Sequence, residues 1–286
     1  MSLQQIVNSK RLLQGDNMRR IIPGGGLLLV LVVLTSTDFS SPVQAEEFVP
    51  PKKPFHIYLL MGQSNMAGRG KMIPSDKLAH PRVFKLDKQN RWVPATAPLH
   101  FDKPTIAGYG IGNAFGKILA DANPKARIGL VPCAFGGTPL KRWVKGGDLY
   151  ANAIKRAKIA MKHGELKGMI WHQGESDSRS VETASSYGKR LAGMIRNLRK
   201  DLDVDHLPVV IGELGEFLNP KRLPHFRTVN RQIRSIPEMV ANTAVVPAKG
   251  LKPKKDGVHF DRASLKIFGS RYAEIMQRLQ KKRTEK

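Results

Sequence analysis

Short apolar runs alternate with longer segments of helical period along the chain from residue 55 onward. The runs are almost continuously apolar, as parallel strands buried on both faces are, and they lie at 57–61, 128–133, 169–172, 209–211 and 243–246. Between and after them, apolar residues recur every three or four positions, which predicts helices at about 112–122, 149–163, 181–202, 223–235 and 262–280. This order is typical of a parallel sheet with crossover helices. It predicts an α/β fold, a three-layer α/β/α sandwich on a five-stranded parallel sheet.

Residues 71–105 interrupt the alternation with several prolines. Two strand-like pieces in this segment, 82–86 and 91–94, flank four polar residues, and we predict that they form a hairpin on the surface beside the functional site. No internal repeat and no proline-rich or glycine-serine linker divides the rest of the sequence. We therefore predict one domain at 55–280, followed by a basic tail at 281–286.

The first 45 residues have the order of a secretory signal peptide. Two arginines, at 19 and 20, precede the apolar run 27–34, and small residues before Glu46 offer a cleavage site. A membrane anchor is the alternative, but eight apolar residues are far fewer than the ~20 needed to cross a bilayer. We predict no stable membrane span, cleavage near Ala45, and a secreted or periplasmic protein whose residues 46–54 form an extended leader.

The composition narrows the class of partner. The 286 residues carry a formal net charge of +25, and because residues 1–45 hold four basic and two acidic residues, the mature chain keeps +23. This charge favours anionic partners such as acidic polysaccharide, although a generally solvated basic surface explains it as well. Nucleic acid is not expected, since only 7% of the residues are aromatic and they form no stripe with the basic ones. The single cysteine, Cys133, lies in an apolar run, and we predict that it is a buried core residue.

Polar residues follow all five predicted strands at the points where the strands end. Parallel strands bring their carboxyl ends to one edge of the sheet, where ligands bind in open α/β folds. The polar segments are 62–65, 135–138, 173–177, 213–216 and 256–261. We expect the functional site at this edge, with walls from 71–105 and 217–225.

Ser64 occupies the turn after the first strand. A serine at a strand-to-helix turn holds its hydroxyl at the sheet edge, and its own N–H faces the same space, which suits a nucleophile whose intermediate is an oxyanion. A helix N-cap explains the same position equally well. The turn is not a G-x-S-x-G elbow, because Met66 stands two residues after the serine, and no Walker loop follows.

Asp256 and His259 favour the nucleophile over the cap. An aspartate three residues before a histidine, in a loop that contains Gly257, can fold back so that its carboxylate meets Nδ1 while Nε2 faces outward. A serine nucleophile needs such a base and such an orienting acid. The spacing alone also fits a core or surface histidine, and it gains weight from Ser64 at the matching strand end.

Other polar residues at this edge suggest supporting roles. His172 is a second candidate base, but it closes an apolar strand, and we interpret it as a partly buried structural residue. Gln173 follows directly and is better placed to offer an amide N–H to developing negative charge. Gly136 and Gly137 can turn a backbone N–H inward without a side chain in the way.

Neither a metal nor a cofactor is expected. The spacing of His172, Glu175 and Asp177 matches neither a helical H-E-x-x-H nor a cysteine-based zinc site. The glycine-rich segment 108–112 lacks the preceding strand and the acidic partner of a dinucleotide site. We expect that segment to open a helix near the pocket.

Four ordered blocks together resemble one family. They are GQSNMAG at 62–68, GGT at 136–138, WHQGESD at 171–177 and DGVHFD at 256–261. The sequence resembles the sialate O-acetylesterase-like branch of the SGNH hydrolases, which includes the acetylxylan esterases of carbohydrate esterase family 6. It departs from the wider SGNH pattern in having Gln173 where many members have asparagine. The resemblance implies a flavodoxin-like α/β/α fold and metal-free hydrolysis of O-acetyl esters on sugars.

The same resemblance implies catalytic roles for the residues already singled out. Ser64 would be the nucleophile, His259 the base and Asp256 its orienting acid, in an enzyme that removes acetyl groups from an acetylated carbohydrate. The alternative function is a non-catalytic binder of acidic glycan that uses the basic surface.

The expected oxyanion hole comprises the Ser64 N–H, one N–H from Gly136 or Gly137, and the side chain of Gln173. Glu175 is expected to brace the Ser64 turn by hydrogen bonding. Two neighbours of the serine in sequence complete this supporting set: Gln63 and Asn65.

Overall fold

A seven-stranded sheet runs through the computed structural model, which describes residues 54–284 and the side chains up to residue 281. In chain order the strands are β1 (Phe55–Gly62), β2 (Val83–Leu86), β3 (Trp92–Pro94), β4 (Arg127–Pro132), β5 (Glu165–His172), β6 (Val209–Gly212) and β7 (Thr243–Val246). Their order in the sheet is β3-β2-β4-β1-β5-β6-β7, and all neighbours pair in parallel except β2 with β3. The predicted signal peptide and nearly all of the predicted leader lie outside the described residues.

Helices cover both faces of the sheet. They are α1 (Ser64–Ala67), α2 (Ile111–Ala122), α3 (Asp148–Met161), α4 (Val181–Ser185), α5 (Tyr187–Leu202), α6 (Phe226–Arg234), α7 (Ile236–Met239) and α8 (Arg262–Thr284). α2 and α8 pack against each other on one face, and α3, α5 and α6 lie on the other. The fold is therefore a mostly parallel α/β sandwich, as the alternating sequence pattern predicts. No helix of residues 54–284 is both long enough and apolar enough to cross a membrane.

The alternation of side chains along β1 divides the core into two clusters. Ile57, Leu59 and Met61 are fully buried under α3 and α5, whereas Tyr58 and Leu60 are buried under α2 and α8. Successive side chains of a strand point to opposite faces, so a central strand must be apolar at every position. This is why β1 has no polar alternation in the sequence.

The predicted number of five strands is wrong, because the hairpin joins the sheet. The five predicted strands are present, but β2 also pairs in parallel with β4, which adds β2 and β3 as an edge. Phe84 and Trp92 of the hairpin are buried, and both rings pack edge-on against Phe55. Arg156 of α3 donates to the Leu86 carbonyl and so fastens the hairpin from below. These contacts connect distant parts of the chain and leave no local trace in the sequence.

Helix boundaries differ from the predicted ones at three places. The predicted helix 181–202 is divided at Ser186 into α4 and α5, and the predicted helix from 223 begins only at Phe226. The last helix continues to Thr284 rather than ending at 280. Ser180 caps α4 by accepting a hydrogen bond from the N–H of Thr183, which fixes the start of that helix.

The strand order brings three loops to one place. β1 lies between β4 and β5, so the loops that leave the carboxyl ends of these three strands are neighbours. The connection direction changes at β1, and such a switch point forms a crevice in open α/β sheets. The segments 62–65, 133–138 and 173–177 therefore meet above the middle of the sheet.

Phe268 packs α8 against the sheet, and its replacement tests this packing. Its side chain is fully buried and contacts the rings of His172, Phe260 and Tyr272. We expect Phe268→Ala to lower the free energy of unfolding by about 3–5 kcal/mol, because it leaves a cavity. Ile267, the preceding residue, is 48% exposed, and Ile267→Ala is the matched control, with a change expected within about 1 kcal/mol. Urea unfolding followed by circular dichroism measures both; equal losses would contradict this packing.

Candidate active site

The turn after β1 is shaped by a close approach between two backbones. Gly62 has φ +137°, and a Cβ at this position would lie 2.1 Å from the His172 carbonyl oxygen. The next N–H, of Gln63, donates to that oxygen at 2.9 Å. Only glycine fits here, and the turn then places Ser64 at the first position of α1.

Ser64, His259 and Asp256 are joined by two successive hydrogen bonds at the sheet edge. The Ser64 Oγ is 2.9 Å from Nε2 of His259, and Nδ1 of His259 is 2.9 Å from Oδ2 of Asp256. Because an ionised carboxylate only accepts hydrogen bonds, Nδ1 carries the proton and Nε2 accepts from the serine hydroxyl. This arrangement lets a hydroxyl pass its proton to an imidazole that is oriented by a carboxylate.

The loop between α8 and β7 holds Asp256 in its ionised form. Burial raises the pKa of the carboxyl, but the backbone N–H of His259, the His259 imidazole and the N–H of Val258 donate to it and bring its pKa down to about 2. Gly257, between the donors and the acid, has φ +67° and allows the tight turn. Asp256 is thus a carboxylate at any pH above about 3.

Asn65 connects the serine turn to the histidine loop. Its Nδ2 donates to Oε1 of Glu175 at 2.7 Å and to the Val258 carbonyl at 3.4 Å, and its Oδ1 accepts from the N–H of Phe260 at 3.0 Å. Asn65 and Glu175 are buried. The side chain of Asn65, the neighbour of Ser64, therefore hydrogen-bonds to the backbone on both sides of His259, at Val258 and Phe260.

The structure narrows the choice between the two candidate glycines. The Gly136 N–H donates to Oδ2 of Asp102 at 2.8 Å, so it is already paired. The N–H groups of Gly137 and Ser64 have no acceptor within residues 54–284. Gly137 is exposed and lines the same cavity as Ser64.

The predicted oxyanion role of Gln173 does not fit the structure. Its Nε2 donates to Oδ2 of Asp177 at 2.7 Å, to the Thr138 carbonyl at 3.0 Å and to Oε1 of Gln63 at 3.2 Å. The Gln173 side chain is fully buried, and its own Oε1 accepts from the Tyr187 hydroxyl. Both amide hydrogens are committed inside the wall of the site, so Gln173 braces this wall instead.

Arg69 and Asp102 have side chains buried beside the serine turn, and neither is among the predicted site residues. Arg69 donates to Oδ2 of Asp102 at 2.6 Å, and these side chains are 3% and 1% exposed. Burial raises the pKa of Asp102, but the hydrogen bonds from Arg69 and Gly136 and the Arg69 charge outweigh it and lower the pKa. Arg69 directly follows the first sequence block, 62–68, and so had a weak signal, whereas Asp102 lies in the proline-rich segment and had none.

Two other sequence predictions concern core residues. His172 is completely rather than partly buried: its ring packs edge-on against Phe260 and Phe268, and its Nε2 lies 3.2 Å from the Glu213 carbonyl oxygen. Cys133 is buried as predicted, and burial raises the pKa of its thiol to about 11. Both residues support the fold and do not face the serine.

The serine opens into a cavity of about 200 Å³. The two predicted wall segments contribute to it, with Lys103 from 71–105 and Arg222 from 217–225, together with Arg179. These three side chains are exposed and make no ion pair with another residue of the described range. A larger cavity of about 520 Å³ lies between segment 75–83 and the helices α2 and α8, and none of the predicted site residues lines it.

No cluster of three or more histidine, cysteine, aspartate or glutamate side chains suited to a metal ion occurs among the described residues. The acid and the base nearest the serine are instead engaged with each other. The segment 108–112 opens α2 and packs against the serine turn, since the N–H of Gly108 donates to the Gly68 carbonyl.

A three-layer α/β fold with a hydroxyl, an imidazole and a carboxylate aligned at the carboxyl edge of its sheet is the architecture of an SGNH-type hydrolase. Comparison with known proteins agrees with this class. Residues 54–278 match the family model described as carbohydrate esterase, sialic acid-specific acetylesterase. The chain is 35% identical over 235 residues to the Arabidopsis thaliana protein named "Probable carbohydrate esterase", covering 74% of this chain and 86% of that protein.

Solved structures share the fold. A protein structure from Arabidopsis thaliana superposes with a TM-score of 0.72 at 31% identity, covering 79% of this chain and 98% of that one. NanS superposes with a TM-score of 0.67 at 19% identity, covering 80% and 98% of the two chains. A carbohydrate acetylesterase from Xanthomonas citri has a TM-score of 0.59 at 20% identity, covering 78% and 56%. The last two show the fold alone.

The chain belongs to the carbohydrate esterase family of sialic acid-specific acetylesterases, and it is a carboxylic ester hydrolase. The resemblance drawn from the four sequence blocks is thereby confirmed.

Asn65 connects the serine turn with the loop that contains His259, and its replacement tests this connection. We expect Asn65→Ala to lower the free energy of unfolding by about 2–4 kcal/mol, because it leaves Glu175 and the Phe260 N–H buried without their partner. Glu175→Gln retains an oxygen that accepts from Asn65 and should cost about half as much. Urea unfolding measures both variants. An Asn65→Ala protein as stable as the wild type would show that this bridge does not hold the loops together.

Proposed function

We propose that this chain is an exported serine carbohydrate O-acetylesterase that works through an acetyl-enzyme. The observation that carries the proposal is the pair of hydrogen bonds that connects the Ser64 hydroxyl to His259 and His259 to Asp256, both at 2.9 Å. The family membership supplies the reaction class, an ester hydrolysis on a sugar. Export rests on the signal-like sequence of residues 1–45.

In the acylation step, the proton of Ser64 passes to His259 and then to the sugar oxygen. The Ser64 oxygen attacks the acetyl carbonyl carbon while Nε2 of His259 takes the hydroxyl proton, and the carbonyl electron pair moves onto its oxygen. When the carbonyl re-forms, the bond from carbon to the sugar oxygen breaks. His259 then gives its proton to that oxygen, so the sugar leaves as a neutral alcohol and the acetyl group stays on Ser64.

Deacylation repeats the proton transfers with water. His259 removes a proton from a water molecule, whose oxygen attacks the acetyl carbon and re-forms the oxyanion. Collapse breaks the ester bond to Ser64, and His259 returns the proton to the serine oxygen. Acetic acid is released, and it ionises to acetate at neutral pH. Asp256 remains a carboxylate throughout and stabilises the imidazolium form of His259.

The free N–H of Ser64 at the start of α1 supports the stabilisation of the oxyanion. The Ser64 N–H has no acceptor within the described chain and stands at the start of a short helix. Preorganised donors of this kind stabilise the transition state by about 3 kcal/mol each. The turn that begins with Gly62 therefore provides the nucleophile and one electrostatic donor together.

The cavity walls favour a substrate with a negative charge near the acetyl group. Lys103, Arg179 and Arg222 are exposed at the cavity and unpaired with acidic side chains of the described residues. Arg222 also contacts the loop that holds Asp256, since its Nη1 lies 3.5 Å from the Asp256 carbonyl oxygen. An acetylated carbohydrate with a carboxylate or sulfate group, such as an anionic polysaccharide, would gain from this charge. A non-catalytic binder of acidic glycan would use the same surface.

Replacement of the serine separates the enzyme from the binder. We expect Ser64→Ala to lower kcat for 4-nitrophenyl acetate by at least about 10⁴-fold, because the nucleophile is lost. Ser270→Ala removes an exposed hydroxyl on α8 and should leave kcat unchanged. The release of 4-nitrophenol measures both. Undiminished turnover by Ser64→Ala would refute the proposed mechanism, and the binder alternative would then predict salt-sensitive retention on an acidic polysaccharide.

The charge preference is tested with a double variant. We expect Arg179→Ala/Arg222→Ala to lower kcat/KM for an acetylated glucuronic acid by about 3- to 10-fold, since two exposed charge interactions are lost. The corresponding uronamide is neutral and should be hydrolysed equally well by the double variant and the wild type. Acetate release measures all four combinations. An equal loss on acid and amide would show that the arginines shape the cavity without selecting charge.

A further inference from the structure

The loop that leaves β4 continues the parallel ladder with β1 beyond the end of the strand. The N–H of Cys133 donates to the Leu60 carbonyl at 2.9 Å, and the N–H of Phe135 donates to the Gly62 carbonyl at 2.9 Å. Alternate N–H groups of this loop therefore face β1. They hold the loop beside the serine turn.

Two side chains from the proline-rich segment take the intervening N–H groups. The N–H of Ala134 donates to Nδ1 of His100 at 3.2 Å, and the N–H of Gly136 donates to Oδ2 of Asp102 at 2.8 Å. His100 is 3% exposed, and burial lowers the pKa of its imidazole to about 3, so the ring is neutral and Nδ1 accepts. Residues 100–102 thus act on this loop as a neighbouring strand would.

Arg69 fixes the position of Asp102 and joins it to the serine turn. One guanidinium nitrogen donates to the carboxylate at 2.6 Å, and the other donates to the Gly68 carbonyl at 2.7 Å. A Cβ at Gly136 would lie 2.5 Å from Nη2 of Arg69 and 3.4 Å from Cβ of Ser64. The loop backbone consequently rests directly on the ion pair and on the serine.

Gly137 is the first residue of this loop whose N–H has no acceptor in the described chain. The N–H groups of residues 133–136 all have acceptors, whereas that of Gly137 has none in the described chain. Gly137 has φ +78°, a conformation that suits glycine, and it lines the cavity with Ser64. An unpaired donor beside the nucleophile is what an oxyanion requires.

We propose that Asp102, held by Arg69, is a positioning residue of the oxyanion hole: it takes the Gly136 N–H and thereby leaves the Gly137 N–H as the donor that works with the Ser64 N–H. The inference rests on the proposed esterase function. It assigns Gly136 to the support of the loop, and it gives the buried ion pair a role in the reaction. A buried ion pair contributes little net stability compared with apolar packing, so stability alone does not account for it.

The experiment compares the loss of the carboxylate with its replacement by an amide. Asp102→Ala removes the acceptor of the Gly136 N–H, and we expect kcat for 4-nitrophenyl acetate to fall about 10- to 100-fold with KM changed less than about 3-fold. Asp102→Asn keeps an oxygen that accepts from Gly136 and Arg69, and it should retain kcat within about 5-fold of the wild type. Binding of a trifluoromethyl ketone, which adds to Ser64 as a tetrahedral oxyanion, should weaken in Asp102→Ala by the same factor as kcat.

Asp76 provides the matched control for loss of a buried ion pair. Its side chain is 5% exposed and is paired with Arg262, and neither residue lines the cavity that contains Ser64. Asp76→Ala should lower the midpoint of thermal unfolding while kcat stays at the wild-type value. Wild-type kcat in Asp102→Ala, or parallel losses of stability and kcat in both alanine variants, would overturn the positioning role. Turnover that survives Ser64→Ala would instead overturn the esterase mechanism, whatever the Asp102 variants do.

Discussion

The close contact between Gly62 and the carbonyl of His172 is the constraint on which the site depends. β1 and β5 pair in parallel up to this point, and the ladder ends with the Gln63 N–H on the same carbonyl. The lack of a side chain at Gly62 allows the chain to leave the sheet there and to enter α1 at Ser64, two residues later. The position of the Ser64 hydroxyl is therefore set by backbone hydrogen bonds of the sheet and not by a flexible loop.

Buried polar contacts then join the loops that the sheet brings together. Asn65 and Glu175 connect the serine turn with the histidine loop, and Arg69 and Asp102 connect it with the loop after β4. Each of these groups would be costly to bury alone, so each is paired. The exception is one oxygen on each carboxylate, Oε2 of Glu175 and Oδ1 of Asp102, which has no partner in the described chain. The energetic cost of such groups fits a region that is selected for geometry at the expense of stability.

Local patterns in the sequence predict the strands and the line of three catalytic candidates. The five predicted strands are continuous apolar runs, and the spacing of Asp256 and His259 fits one short loop, so both can be found without knowledge of distant contacts. The hairpin could be recognised as a hairpin, but its pairing with β4 depends on the burial of Phe84 and Trp92 against another strand. Register with a distant strand has no local signal.

The supporting residues were harder to predict because their partners are remote. Gln173 stands at the right strand end, yet Asp177 and Thr138 take its amide hydrogens. The choice between Gly136 and Gly137 depends on Asp102, which lies 34 residues before Gly136 in a segment without regular pattern. A polar residue at a strand end thus predicts that the residue lies near the site. The direction in which its N–H groups point depends on packing against distant residues.

The hydroxyl of Ser64 and the imidazole of His259 are separated by 195 positions along the chain. Between them lie the remaining six strands of the sheet, and α8 must dock on its face directly after the histidine loop. A growing chain that has completed β1 and β5 still lacks the proposed base, because His259 lies after the last strand. Under the proposed mechanism, ester hydrolysis therefore requires the complete fold, and a folding intermediate that lacks the final segment is inactive.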